Sequence, residues 1–314
     1  ILIVPYYSVI GGWVIKYLIE YFAGHSRTLA GDAYFTTFIS NGWSTEICFI
    51  IFTLFTLGII YAGVRNGIER VSRFMMPILI VLSLIIAVYS VTRPGAIEGV
   101  KYFLVPNFDH FSWMTVVSAM GQMFYSLSIA MGILITFGSY MKKDTSIEKS
   151  TENVEIFDTA IAIMAGLMII PAVFAFSGGN AETLKSGPAL MFITIPKVFA
   201  NMGFGTAIGI VFFLLVLFAA VTSSIALTES AVSTFEDELH WSRRKSTVFM
   251  GVIMILLGTL SCLGYGPLVD FKILGMQFLD FFDFMTNSVM MPIAAIATCL
   301  LVSKVVGVGK LEKE

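Results

Sequence analysis

Residues 118–141 read SAMGQMFYSLSIAMGILITFGSYM, a stretch long and apolar enough to cross a bilayer that is interrupted halfway by small and polar residues. Its centre, SLSIAMG, holds weaker helix formers than its flanks. We infer a helix broken at mid-bilayer, whose freed carbonyls suit an ammonium group or a sodium ion. A continuous helix with back-bonded serines and packed glycines remains the open alternative.

The composition around this stretch predicts an all-α polytopic membrane protein. The chain has 314 residues, of which 57% are hydrophobic and 13% charged, and its mean hydropathy is +0.88. One soluble core cannot bury that much apolar surface, and continuous apolar runs are unlike the alternating strands of a membrane barrel. The net charge of −2 gives no sign of a nucleic-acid partner. The cysteines lack metal or disulfide spacing.

Eight membrane spans are predicted from the apolar runs. They cover residues 2–22, 44–63, 70–92, 112–141, 154–176, 204–237, 246–263 and 275–303. Loops after the even-numbered spans concentrate the basic residues, which predicts a cytoplasmic C-terminal end. These basic residues are Arg65, Arg70, Arg73, Lys142, Lys143, Lys149, Arg243, Arg244, Lys245, Lys304, Lys310 and Lys313. Between spans five and six, glycines and a proline predict a folded lid hairpin over 177–203.

Polar residues inside the spans are the candidate functional groups. Thr222 and Ser223 offer adjacent hydroxyl oxygens suited to a hard monovalent cation, or they pack between helices. Asp158 is either a functional intramembrane carboxylate or an interfacial residue at a helix start. Asp280 and Asp283 share one helix face, as solvated residues or as half of a gate. Tyr7 either packs or directs its hydroxyl into a cavity.

Six motifs in order resemble the neurotransmitter:sodium symporter family, and more closely its bacterial sodium-dependent amino-acid transporters. They are PYYSVIGGW; GQMFYSLSIAMG with TFGSYM; DTAIAIMAGLMIIPAVFAF; GPALMFITIPKVF; TSSIALTES with FEDEL; and FLDFFDF. The resemblance implies two inverted five-helix repeats, with the present spans matching helices three to ten. Residues 1–110 would then be the rest of the first repeat, 111–303 the second repeat, and 304–314 a cytoplasmic tail. It also implies a fragment that lacks helices one and two and the end of the chain.

The same resemblance implies roles for individual residues. The substrate-binding residues would be Tyr7, Tyr125, Ser126, Ser128, Met131, Ser223 and Leu227. Ser126 and Asp158 would ligate a first sodium ion, and Ala219, Thr222 and Ser223 a second. Asp283 would be the outer gate acid and Asp237 the inner one, supported by Tyr140.

The function implied is sodium-coupled symport of a neutral, large hydrophobic or aromatic amino acid by alternating access across the plasma membrane, expected to be a bacterial inner membrane. Na+ is the coupling ion, the partners are the amino acid and the lipid bilayer, and the chain as given is expected to be incomplete for transport. A non-transporting receptor or scaffold of the same fold is the alternative. An enzyme is not expected, because the three histidines fall in loops or at span ends and no catalytic cluster is visible.

Overall fold

The computed structural model describes residues 1–108, 111–142, 144–179 and 187–307. Within them the chain forms fourteen α-helices. These are α1 Ile3–Phe22, α2 Ser26–Leu29, α3 Tyr34–Ser40, α4 Gly42–Tyr61, α5 Arg70–Val91, α6 Ala96–Leu104, α7 Trp113–Ser126, α8 Ile133–Ser139, α9 Ile147–Ser177, α10 Ile195–Ala200, α11 Gly205–Leu239, α12 Arg243–Leu263, α13 Phe278–Asp283 and α14 Met291–Leu301. Lys143, residues 180–186 of the predicted lid, and residues 308–314 of the predicted tail with Lys310 and Lys313 lie outside the described residues.

Six continuous helices among the described residues are long and apolar enough to cross a membrane, and they match six of the eight predicted spans. They are Gly42–Tyr61, Asn66–Val91, Ile147–Ser177, Gly205–Leu239, Arg243–Leu263 and Phe278–Val305. The first predicted span is α1, whose 20 residues include Lys16, Glu20 and several tyrosines that lower its hydropathy. The fourth is divided between α7 and α8.

Helix α1 lies at the centre of the bundle, where glycines allow close contact with α4. A Cβ atom on Gly12 would stand 2.6 Å from the backbone nitrogen of Phe49, and one on Gly11 would stand 2.5 Å from the Phe52 ring. Only glycine permits this approach, as is common where membrane helices pack tightly. Helix α11 packs on α1 as well, through Phe213, which stacks on Tyr17 with ring centroids 5.2 Å apart.

The described part of the predicted lid is docked on α1 through Phe192, which is 1% exposed. Its ring stacks on Phe35 at 5.2 Å and meets the Trp13 ring edge-on at 5.7 Å. The Tyr17 hydroxyl donates a 2.7 Å hydrogen bond to the Phe192 carbonyl. The segment after Gly187 is therefore anchored to the helix that also carries Tyr7.

Candidate functional site

The span that opens the sequence analysis is broken, as predicted. Helix α7 ends at Ser126 and α8 begins at Ile133. Between them Ser128, Ala130 and Gly132 have positive φ values of 56°, 63° and 80°, a conformation that ends helical hydrogen bonding and favours glycine. A Cβ on Gly132 would also stand 2.7 Å from the Ser230 hydroxyl. The open alternative of a continuous helix is therefore wrong.

A cavity of about 430 Å³ lies at this break. Its lining comes from α1, α5, α7, the break itself, α8 and α11. The lining residues are Ile3, Tyr7, Met76, Gln122, Tyr125, Ser126, Ser128, Met131, Ile133, Thr222, Ser223, Ala226 and Leu227. All seven predicted substrate-binding residues are among them, so the fold brings together residues that are up to 220 positions apart in the chain, from Tyr7 to Leu227.

The lining divides into polar and apolar groups. Hydroxyl oxygens come from Tyr7, Ser126, Ser128 and the Thr222–Ser223 pair. Large apolar side chains come from most of the other lining positions, above all Met131 and Leu227, whereas Gln122 adds a polar amide. A cavity with a few polar groups on an apolar wall suits a small molecule that has a polar head and an apolar body.

One predicted ion-binding pair is in direct contact. The Ser126 hydroxyl donates a 2.6 Å hydrogen bond to the Asp158 carboxylate. Asp158 follows the first residue of α9, Ile147, by eleven residues, which places it about 16 Å along the helix at 1.5 Å per residue. The alternative that Asp158 sits at a helix start is therefore wrong. Its carboxylate adds negative charge beside a hydroxyl of the cavity wall.

The second predicted set of ion ligands lies within one turn of α11. The Thr222 hydroxyl donates to the carbonyls of Phe218 and Ala219, both at 3.0 Å. Ser223 is the next residue and its side chain interacts with the Tyr7 hydroxyl. Thr222 and Ser223 line the cavity, whereas Ala219, one turn earlier on the helix, is not one of its lining residues. The three oxygens are of the hard type that binds monovalent cations.

The two aspartates of α13 have neutral hydrogen-bond partners. The Asn287 amide donates a 2.6 Å hydrogen bond to the exposed Asp283. The Tyr6 hydroxyl lies 3.2 Å from the Thr286 hydroxyl in the same π-helical turn, Phe284–Met290. Within the described ranges no cation lies within 4 Å of Asp283 or Asp280.

Asp280 accepts a 3.2 Å hydrogen bond from the hydroxyl of Tyr265, which lies in the loop after α12. Burial, reinforced by the Asp280 charge, raises the pKa of the Tyr265 hydroxyl. Tyr265 therefore keeps its proton and acts as the donor to this carboxylate.

A second carboxylate cluster is organised by Glu229 of α11, which is fully buried. Arg243 donates to both of its carboxylate oxygens, at 3.0 and 2.6 Å, and Tyr140 donates to one at 2.6 Å. Arg243 also donates to the Ile60 carbonyl at 2.9 Å, and lies 3.4 Å from Glu236. One guanidinium thus joins α4, α11 and α12, and through Tyr140 the end of α8.

Tyr140 therefore contacts Glu229 and not Asp237, the residue that the sequence pairs with it. Asp237 is exposed, because it follows Glu236 by one residue and is rotated away from the face of α11 that Glu229 and Glu236 share. Glu229 was missed by the sequence interpretation, although a carboxylate inside the apolar run IALTESAV is a signal for a functional group. Met76 carries no such local signal, since only the packing of α5 brings it to the cavity.

Comparison with known proteins gives consistent matches. Residues 20–314 match the model of the "Sodium:neurotransmitter symporter family". An uncharacterized sodium-dependent transporter of Bacillus subtilis, YhdH, is 35% identical over 304 residues, and one of Haemophilus influenzae is 31% identical over 309. Each match covers 96% of this chain and 66% of the relative, so the chain spans just under two thirds of their length. The crystal structure of MhsT in complex with L-phenylalanine superposes with a TM-score of 0.83 at 35% identity, covering 96% of this chain and 69% of that one.

Proposed function

Because the chain belongs to the sodium:neurotransmitter symporter family, a family of transporters and not of enzymes, we propose that the whole protein performs sodium-coupled symport of a neutral amino acid by alternating access. The six motifs predict the family and its helical, multi-span fold, and the comparisons confirm both predictions. The observation that carries the proposal is the cavity at the helix break, which all seven predicted substrate-binding residues line.

The proposed substrate position follows from the chemistry of the lining. The ammonium group lies at the carbonyl end of α7 and near Ser128, since the C-terminal end of a helix carries partial negative charge. The carboxylate accepts a hydrogen bond from Tyr7. The side chain lies among Tyr125, Met131 and Leu227. Methionine adapts its shape to bulky partners, which supports a large hydrophobic or aromatic side chain.

We place the two sodium ions at the oxygen clusters beside the cavity. Ser126 and Asp158, whose oxygens are 2.6 Å apart, provide ligands for the first ion. Ala219, Thr222 and Ser223 provide ligands for the second. Sodium would neutralise and order these oxygens before the substrate binds, so substrate affinity should rise with sodium concentration.

Substitution of Ser223 tests the sodium coupling. In Ser223→Ala we expect the sodium concentration for half-maximal substrate binding to rise about tenfold, since one ion ligand worth roughly 1.4 kcal/mol is lost. The matched control is Ser224→Ala, because the neighbouring Ser224 is fully buried and hydrogen-bonded by Thr56 at 3.3 Å, away from the cavity. Radiolabelled amino-acid binding at graded sodium, with a large organic cation keeping ionic strength constant, gives the measurement.

Amino-acid binding that stays unchanged when sodium is replaced by the organic cation would contradict the proposed coupling. An equal shift in both serine variants would remove the assignment of Ser223 alone. Sodium-dependent binding without uptake by the whole protein in proteoliposomes would favour the receptor alternative.

Competition between amino acids tests the substrate class. Tryptophan, phenylalanine and leucine should displace a bound label at concentrations at least tenfold below those of glycine or glutamate, because only large side chains fill the apolar wall. Met131→Phe narrows the cavity and should therefore weaken the binding of tryptophan more than that of leucine. Stronger competition by glycine or glutamate would contradict the proposed substrate class.

Basic residues are concentrated at the starts of α5 and α12 and in the adjoining loops. They support a cytoplasmic position for the end of the bundle where these two helices begin, and so for the C-terminal end of the chain. Labelling of Ser303→Cys with an impermeant maleimide in intact cells and in inverted vesicles checks this orientation. Labelling only in intact cells would contradict it.

A further inference from the structure

Two hydroxyl groups in the core of the bundle have no hydrogen-bond partner among the described residues. They belong to Ser8 in α1 and Thr53 in α4, and both residues are 0% exposed. A buried hydroxyl without a partner costs free energy, and no lipid group in the hydrocarbon region can supply the missing bond. The two hydroxyls therefore point to a partner other than the side chains and backbone around them.

Several hydroxyls elsewhere in the spanning helices bond to the backbone of their own helix. The Ser83 hydroxyl donates to the Leu79 carbonyl at 2.8 Å, and the Thr228 hydroxyl donates to the carbonyl four residues before it at 2.7 Å. Bonds of this kind satisfy serine and threonine within a single membrane helix. Ser8 and Thr53 make no such bond. Their hydroxyls are therefore available to a partner that lies between helices.

Helices α1 and α4 run antiparallel, because the positions that meet rise along α4 as they fall along α1. Ser8 lies one turn before Gly12 in α1, on the same face of the helix, and Thr53 lies one turn after Phe49 in α4, again on the same face. Both hydroxyls therefore lie at one level of the bundle, about 6 Å from the contact between Gly12 and Phe49 at 1.5 Å per residue. The neighbouring pairs that define this register are Lys16 with Cys48, Gly12 with Phe49, and Gly11 with Phe52.

We propose that Ser8 and Thr53 bind one buried water molecule between α1 and α4, which forms a hydrogen bond with each hydroxyl. A hard cation takes about six oxygen ligands, whereas a buried water needs only roughly two to four polar partners. Neither residue lines the cavity, so this site is separate from the transport site and does not depend on the proposed function. Because Ser8 directly follows Tyr7, the water fastens to α4 the part of α1 that reaches the cavity.

Thermal unfolding of the whole protein in detergent tests the water site, because the sign of the effect depends on whether the hydroxyls are bonded. Deletion of an unpaired buried hydroxyl stabilises a protein, whereas deletion of a hydroxyl that binds water removes a hydrogen bond. We expect Ser8→Ala and Thr53→Val each to lower the unfolding temperature by about 2 °C, the scale of one lost hydrogen bond in a chain of this size. A higher unfolding temperature in either variant would overturn the proposal.

The two deletions should not be additive, since either one already releases the shared water. In the double variant we expect a decrease in unfolding temperature clearly smaller than the sum of the two single decreases. The matched control combines Thr53→Val with Ser83→Ala, because Ser83 is also buried but bonds to a carbonyl of its own helix, α5. The two decreases in this control pair should add. Additive decreases for Ser8→Ala and Thr53→Val as well would overturn the proposal.

An experimental structure of the unaltered protein, at a resolution that shows ordered waters, identifies the occupant even if a variant fails to fold. Density for one water should lie about 2.7–3.2 Å from both hydroxyl oxygens. A site without density, or hydroxyls that bond directly to each other, would overturn the proposal. Replacement of sodium by a large organic cation should leave the shifts in unfolding temperature unchanged. Shifts that appear only in sodium would show a cation site instead, and would also overturn the proposal.

Discussion

The carboxylate clusters around Asp283 and Glu229 differ in what holds them. Asp283 is exposed, and its hydrogen-bond partner is the neutral amide of Asn287. Glu229 is fully buried and is held by a guanidinium and a tyrosine hydroxyl. A buried charge must be compensated inside the protein, whereas water compensates an exposed one. The Glu229 cluster is therefore tied by an ion pair, whereas within the described residues the Asp283 cluster is not.

The difference indicates which of the two clusters would cost more free energy to separate in a change of conformation. Separation of α8 from α11 at Glu229 exposes the Glu229 charge or leaves it unpaired, because Tyr140 and Arg243 contact the same carboxylate. Separation at Asp283 breaks hydrogen bonds that water replaces at little cost in free energy. The following three substitutions test this asymmetry.

Removal of Arg243 should have the largest effect. Arg243→Met leaves Glu229 buried and unpaired, and we expect about 3 to 5 kcal/mol of destabilisation. Thermal unfolding in detergent is the measurement, and Arg244→Met is the matched control, because Arg244 is exposed and has no carboxylate partner in the described chain. Addition of Glu229→Leu to Arg243→Met should recover much of the loss. A single variant as stable as its control would contradict the importance given to this pair.

Removal of the Tyr140 hydroxyl should have an intermediate effect. Tyr140→Phe deletes one hydrogen bond to a carboxylate that keeps its guanidinium, a loss of about 2 kcal/mol. Since Tyr140 follows α8, amide hydrogen exchange over Ile133–Ser139 should quicken about tenfold while exchange in α1 stays unchanged. Tyr102→Phe, at an exposed tyrosine that contacts Phe174, is the control. Uniform quickening across all helices would show general destabilisation instead of a local tie.

Removal of Asn287 should have the smallest effect. Asn287→Ala deletes the neutral partner of Asp283, which is exposed, so we expect less than about 1 kcal/mol in the same unfolding measurement. Phe281→Ala, at a half-buried residue of the same span, provides a scale for loss of packing. A loss of stability from Asn287→Ala as large as that from Arg243→Met would contradict the proposed difference between the two carboxylate clusters.

Much of the site was predictable because its signals are local. Small and polar residues in SLSIAMG predict the break, and adjacent hydroxyls at Thr222 and Ser223 predict an oxygen cluster. The start of α9 was predicted less accurately, since the predicted span begins at residue 154 and the helix begins at Ile147. Hydropathy marks the apolar part of a helix only, whereas the first turns of α9 are charged and capped by the Ser146 hydroxyl on the Lys149 amide at 3.3 Å.

The sequence by itself determined the membrane class, the helical fold and the family, because lipid permits few backbone solutions and the motifs stand in a fixed order. It also placed the break between α7 and α8. Only the tertiary structure decided that Tyr140 joins Glu229, that Met76 reaches the cavity, and that Arg243 turns inward while Arg244 stays outside. These outcomes depend on which helix face meets which neighbour. Burial and pairing of charges arise from contacts between segments that are distant in the chain, and no local pattern records them.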